Sequence, residues 1–180
     1  MACDISAGRA YPCKDAIGGI KEVLLCAYDD VVFGAVSSGA IADITSNTTL
    51  YRFVSAKNAG SLAQNIQSSV ENGTVYFEQV VTWQMPKLEA AVNANLLNVL
   101  RNRLIIIVRD NNDNFHIVGY ARGAEVTGGN FGTGQATGDL SGYNLVFTAE
   151  EAAPAYFAPD LSNATVVSAL TGTVTISPTY

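Results

Sequence analysis

Hydrophobic and polar residues alternate most clearly in the middle of the chain. Val75, Phe77, Val81, Trp83 and Met85 fall on one side of a period-two pattern, and Thr74, Tyr76, Glu78, Thr82 and Gln84 on the other. That pattern predicts a half-buried β-strand. Gln79 interrupts the apolar side, which leaves room for a β-bulge there. Asn72-Gly73, just before the strand, is the favoured pair for a two-residue hairpin turn, because both residues tolerate positive φ. Pro86 ends the strand and suits the first turn of a helix, where a missing N–H costs nothing. Leu88, Val92, Leu96, Val99 and Leu100 then recur at helical spacing, with Glu89, Asn93, Asn98 and Arg101 opposite. An amphipathic helix is predicted from Pro86 to about Asn102. Glu89 near its start and Arg101 near its end agree with the helix dipole.

The β-branched run Leu104-Ile105-Ile106-Ile107-Val108 predicts a central strand. The turn-forming residues Asp110 to Asn114 join it to Phe115–Ala121 as a hairpin. Lys21 to Val32 reads as another strand, and its apolar run from Val23 to Tyr28 suggests burial on both faces or a subunit contact. Tyr143, Leu145 and Phe147 alternate with Asn144, Val146 and Thr148 as a further strand, and Val166 to Ile176 supplies one or two more. Three stretches carry less pattern. Residues 1–20, with Gly8, Pro12, Gly18 and Gly19, suit an extended arm or loops better than a regular element. Residues 34–69 read as a long loop with one short strand at Leu50–Val54, and a loop of that length belongs at a functional or subunit contact. Gly123 to Gly142, with seven glycines, reads as a flexible or sharply turned connection. The fold class that follows is mainly β with α (α+β), a single domain over residues 1–180. Its architecture is a β-sandwich or partly closed barrel with one flanking amphipathic helix.

Composition adds a hint of assembly. Only 14% of the residues are charged while 48% are hydrophobic, so much of the surface must be neutral or lie against partners. The net charge is −6 and the ten Lys and Arg are scattered, whereas capture of nucleic acid needs a clustered basic face. No stretch reaches the roughly 18 consecutive apolar residues of a membrane span, and the first residues lack a signal-peptide pattern, so a soluble protein made in a cytoplasm is expected. Cys3, Cys13 and Cys26 cannot close a disulfide framework, and their spacing with the single His116 does not fit a zinc site.

Each candidate for chemistry lacks a part. Gly129 to Ala136 imitates a phosphate-binding loop, but Gln135 and Ala136 stand where Lys and Ser or Thr are needed. Asp110, Asn112 and Asn114 imitate the opening of a calcium loop, but Phe115 stands at the required glycine and Ala121 at the bidentate glutamate. His116 lies in a predicted strand with no elbow-borne nucleophile to serve. Glu125, Asp139, Glu150 and Glu151 read as solvated surface acids. The sequons at Asn47, Asn72 and Asn163 are coincidences of a Thr- and Asn-rich chain without an export signal. No catalytic, cofactor-binding or metal-binding residue is assigned, no cofactor is expected, and the chain is not expected to be an enzyme.

The order of elements resembles a known family. The hairpin strand from Asn72, the helix from Pro86, the strand Leu104 to Asn112 and the segment Gly119 to Val126 are followed by Gly134-Gln135-Ala136-Thr137-Gly138-Asp139-Leu140-Ser141-Gly142-Tyr143, a strand ending Thr148-Ala149-Glu150-Glu151, and Pro154 to Phe157. Across about residues 70–157 this is similar to the tail tube proteins of tailed bacteriophages. The Gly-Asp-Leu-Ser-Gly-Tyr segment at residues 138–143 is the most specific part. The resemblance implies a self-assembling virion protein of the tail, whose homohexameric rings stack into a hollow tube. Its partners would be itself and other tail proteins such as a tape measure, sheath or terminator. DNA would pass through without specific binding, and no membrane is involved. Residues 34–69 would then make contacts between subunits, and residues 1–20 would reach a neighbour. Two alternatives share the architecture. One is a carbohydrate-binding or head decoration module with an aromatic platform from Tyr11, Tyr143 and Tyr156. The other is the inner tube of a contractile injection system.

Overall fold

Runs that are apolar at every position become central strands here, and alternating runs become strands with one bare face. The computed structural model describes residues 8–11, 13–162, 166–167 and 172–177. The chain forms β1 (Ile20–Ala27), a 3-10 turn (Tyr28–Asp30), β2 (Val36–Ser37), β3 (Ala40–Ile41), β4 (Thr48–Val54), β5 (Gly60–Ser69) and β6 (Thr74–Pro86). Helix α1 (Ala90–Arg101) follows, then β7 (Leu104–Asp110), β8 (Phe115–Val118), β9 (Glu125–Gly132), β10 (Gly142–Glu151), β11 (Tyr156–Phe157), β12 (Val166–Val167) and β13 (Val174–Ser177). They make a nine-stranded sheet in the order β12-β13-β4-β1-β7-β8-β11-β3-β2 and a four-stranded sheet in the order β5-β6-β10-β9. The result is the mainly β, sandwich-like architecture with one helix that the sequence predicts, and it is not a closed barrel.

The nine-stranded sheet is buried on both faces at its centre. Val23 and Leu25 of β1 and Leu104, Ile106 and Val108 of β7 join Val81 and Trp83 of β6 and Tyr143, Leu145 and Phe147 of β10 in the core between the sheets. Leu24, Cys26, Ile105 and Ile107 point the other way, into a second core with Ile41, Ile44, Leu50, Leu161 and Ile176. Helix α1 closes one flank of the first core with Leu96, backed by Leu88, Val92 and Val99. At one margin of the second core Glu22, 6% exposed, is held between Arg109 Nη1 at 3.2 Å and Arg52 Nε at 3.4 Å. A buried carboxylate needs such partners, because its desolvation costs several kcal/mol.

Several expectations are corrected. The strand expected over Lys21 to Val32 stops at Ala27, where the 3-10 turn begins. The loop expected over 34–69 is β2, β3, β4 and β5 with their short connections. Asn72-Gly73 does belong to a hairpin, but its loop is the four residues Val70 to Gly73, with positive φ at Gly73 alone. No bulge occurs at Gln79, which stays in register with both neighbours. Its buried amide donates to the Ala153 carbonyl at 3.2 Å and accepts from the Gly119 N–H at 3.2 Å, so a polar side chain keeps its place in an apolar row because both ends are satisfied. Pro86 is the last residue of β6, paired with Gly142, and the helix starts only at Ala90. The glycine-rich connection is in its first half the strand β9. Residues 8–11 and 13–19 carry no helix or strand, and their end is tied to the β7–β8 turn by Asn112 Nδ2 to the Ile17 carbonyl and Asn111 Nδ2 to the Gly18 carbonyl. Cys3, Pro12 and the sequon at Asn163 lie outside the described residues.

Candidate functional site

The four-stranded sheet is open on three sides. Each of its neighbouring pairs is antiparallel, so β5 and β9 run in opposite directions at its two edges. β5 pairs with β6 over its whole length, and β9 with β10, while the outer edge of each meets no other strand among the described residues. Such edges carry free N–H and C=O groups, and proteins that stay monomeric usually blunt them with charge, proline or a cover. Here β5 (Gly-Ser-Leu-Ala-Gln-Asn-Ile-Gln-Ser-Ser) has no charge and no proline, and β9 has Glu125 alone.

Cross-strand partners share a face, which fixes what the sheet shows to solvent. The face away from the core carries Ser61, Asn65 and Gln67 of β5, Glu78, Thr82 and Gln84 of β6, Asn144, Thr148 and Glu150 of β10, and Glu125 and Thr127 of β9, all exposed or half-buried. None of the ten Lys and Arg of the chain lies in any of these four strands. Glu78 and Glu150 are directly opposed, and Glu125 is paired with Thr148, two residues from Glu150. Opposed like charges destabilise a strand pair by a few tenths of a kcal/mol. Asn65 Nδ2 and Gln67 Nε2 temper this by donating to Glu78 Oε2 at 3.2 and 3.3 Å.

The third open side is the hairpin tip. β10 pairs with β6 only as far as Phe77, so Thr74 to Tyr76 and the facing part of β5 extend beyond their neighbours. Ile66 is 68% exposed, Val75 57% and Val70 95%. An apolar row continues the core-side face of the sheet into solvent there.

The residues weighed for chemistry are dispersed. His116 Nε2 faces Asp110 Oδ2 at 3.4 Å and its ring lies 4.8 Å from Phe157, in a hairpin corner rather than a cleft. Burial pushes the Asp110 carboxyl up, but the Asn114 amide and N–H, His116 and the Asn112 N–H together hold it below the usual carboxylate range. These contacts build the turn of the imitation calcium loop internally. Asp139 likewise accepts from the Gln135 and Ala136 N–H groups, which hold its carboxyl low and tie up the donors of the imitation phosphate loop. Glu125 and Glu150 are exposed, as expected of surface acids, but Glu151 is not. It is 4% exposed and accepts from the Ala121 and Arg122 N–H groups at 3.0 and 2.8 Å. Cys26 is buried, which pushes its thiol up to about 12, with Asp30 adding to the effect.

Among the described residues, no group of His, Cys, Asp or Glu could hold a metal ion, and no helix is long and apolar enough to cross a membrane. Of the three tyrosines expected as a platform, Tyr143 is fully buried and Tyr156 is packed edge-on against Tyr120, so only Tyr11 offers a free ring. An open groove of about 540 Å³ is lined by Asn47, Thr48, Thr49, Tyr51 and Thr175 beside Asp30. It holds no opposed acid and base. The feature that pattern reading overlooked is the open sheet. Its signal was present, since basic residues are missing from four separate segments of the sequence. No family model, no curated protein and no solved structure matches the chain.

Proposed function

We propose that this chain is a structural subunit that joins copies of itself edge to edge into rings, which stack as the hollow tail tube of a bacteriophage virion. The observation that carries this reading is the four-stranded sheet whose two edges run in opposite directions and pair with no further strand among the described residues. An antiparallel junction of β9 in one copy with β5 in the next continues the alternation of the sheet without interruption. Because the two edges are different surfaces, the contact is head-to-tail, and head-to-tail contacts close into rings when the rotation per copy allows it.

The electrostatics favour a channel for a polyanion. In a ring so joined, the face away from the core lines the inside, with acidic charge from Glu78, Glu125 and Glu150 and no basic residue from any of the four strands. Phosphates passing such a wall are repelled and not held. The Glu78–Glu150 opposition, unfavourable for the isolated subunit, has a use in that setting.

Electron microscopy of the purified chain across a concentration series, with light scattering on the same samples, tests the proposal. Hollow filaments or closed rings that grow with concentration are the expected result. A monomer or closed trimer at every concentration, with no such rings, would overturn it in favour of a binding or decoration module.

A further inference from the structure

The edge that β9 offers has an apolar floor. Asn93, Leu97 and Leu100 of α1 are spaced i, i+4, i+7 and form one stripe of the helix. The stripe is oriented by Tyr143 Oη, which donates to Asn93 Oδ1 from the start of β10. The helix therefore turns this stripe towards the four-stranded sheet, where it lies against β9. Leu97 is 53% and Leu100 41% exposed, and Phe131, on the core-side face of β9 opposite Tyr143, is 61% exposed. These three exposed apolar side chains thus belong to the edge strand β9 and to the helix that lies against it.

The other edge presents the counterpart. On β5 the core-side face carries Leu62 and Ile66, paired with Val81 and Phe77, and Val75 continues it on β6. Ile66 and Val75 are left largely exposed among the described residues. Both apolar patches thus lie on the core side of the same sheet, one at each edge, and both adjoin free backbone groups.

We propose that the two patches are halves of one contact: the α1 stripe of one copy, with Phe131, is covered by the β5–β6 hairpin of the next, and the core between the sheets runs on across the junction. The inference rests on the edge-to-edge reading above and adds which side chains meet. Antiparallel overlap of β5 with β9 brings the Ser69 end of β5 towards Glu125. Asn93 lies at the Tyr143–Phe131 end of β9, and the helix leads to Leu104, which bridges to Ala124, so Leu97 and Leu100 lie nearer the Glu125 end, where Ile66 of the next copy would arrive. The partner is a second copy and no other protein, because the chain supplies both halves with matching strand polarity and neither patch carries a charge.

Cysteine pairing tests this directly. The full chain carrying Leu97→Cys and Ile66→Cys, with Cys3→Ser and Cys13→Ser so that only the buried Cys26 remains beside the pair, is assembled and then oxidised. A disulfide forms only where Cα atoms come within about 7 Å, so the expected result is a ladder of linked copies on a denaturing gel, absent from either single variant. Rings or tubes that form but give no ladder overturn this inference and leave the tube reading standing. An unmodified chain that never forms rings overturns both. Should the cysteine variant not assemble, charge exchange decides. Leu97→Glu alone is expected to stop assembly, and adding Ile66→Lys to restore it at least tenfold in the concentration required. Failure of that rescue, with unchanged melting of the variants, overturns the contact.

Discussion

Glutamates in this chain meet three fates that their immediate neighbours in sequence do not distinguish. Glu22 is clamped between two guanidinium groups, Glu151 accepts two backbone N–H groups from the turn after β8, and Glu78 and Glu150 oppose one another in solvent. Glu150 and Glu151 are adjacent, and strand alternation alone sends one outward and one inward. Reading Glu151 as a surface acid was therefore an error of facing, since an acid at an inward position needs a partner that sequence does not reveal. Replacing Glu151 with Ala leaves the Ala121 and Arg122 N–H groups without an acceptor, and a loss of about 1–3 kcal/mol is expected from urea denaturation. Glu151→Gln, which keeps an acceptor, should lose less. Equal and small losses for both would mean that the turn holds without the carboxylate.

At the scale of elements, strands with at least one face well covered are legible and strands with little apolar cover are not. β7 and β1 announce themselves by continuous apolar runs because both of their faces are covered, and β6 and β10 by alternation because one face is. β5 has only Leu62 and Ile66 on its inner face and polar residues outside, so it reads as loop until β6 pairs with it along all ten positions. β9 reads as a flexible glycine stretch for a similar reason. In fact Gly129 is required by the strand: its φ is +139°, and a Cβ there would lie 2.4 Å from the Asn144 carbonyl oxygen. Gly129→Ala is expected to destabilise the fold by more than about 1 kcal/mol and to raise amide exchange along β9 and the facing part of β10. Unchanged exchange in β9 would show that the backbone relaxes around the added methyl group.

For the whole molecule, charge and openness act in opposite directions. The two edges, which pair with no further strand among the described residues, favour association, while each copy brings a net charge of −6, and Glu78, Glu125 and Glu150 converge on one face. Exposed charges interact over a Debye length of about 10 Å at 0.1 M salt and about 3 Å at 1 M. Assembly is therefore expected to begin at lower protein concentration as salt is raised, which light scattering at fixed temperature would follow. An onset that moves to higher concentration with salt would point to ion pairs between copies as the main attraction and would count against junctions made by backbone and apolar contacts.

The apolar rows, the helix period and the turn-forming residues belong to the sequence itself, because local geometry repeats every two or 3.6 residues whatever the rest of the chain does. They were sufficient for a mainly β fold with one amphipathic helix, and for β1, β6, β7, β8 and β10. Which strands are neighbours was decided only in three dimensions. β1 lies between β4 and β7, and β10 between β6 and β9, and these long-range pairings turn polar or glycine-rich stretches into strands. The open edges, the face with acids and no basic residue, and the exposed stripe of α1 arise at the same level, since a surface exists only once the chain has chosen what to bury.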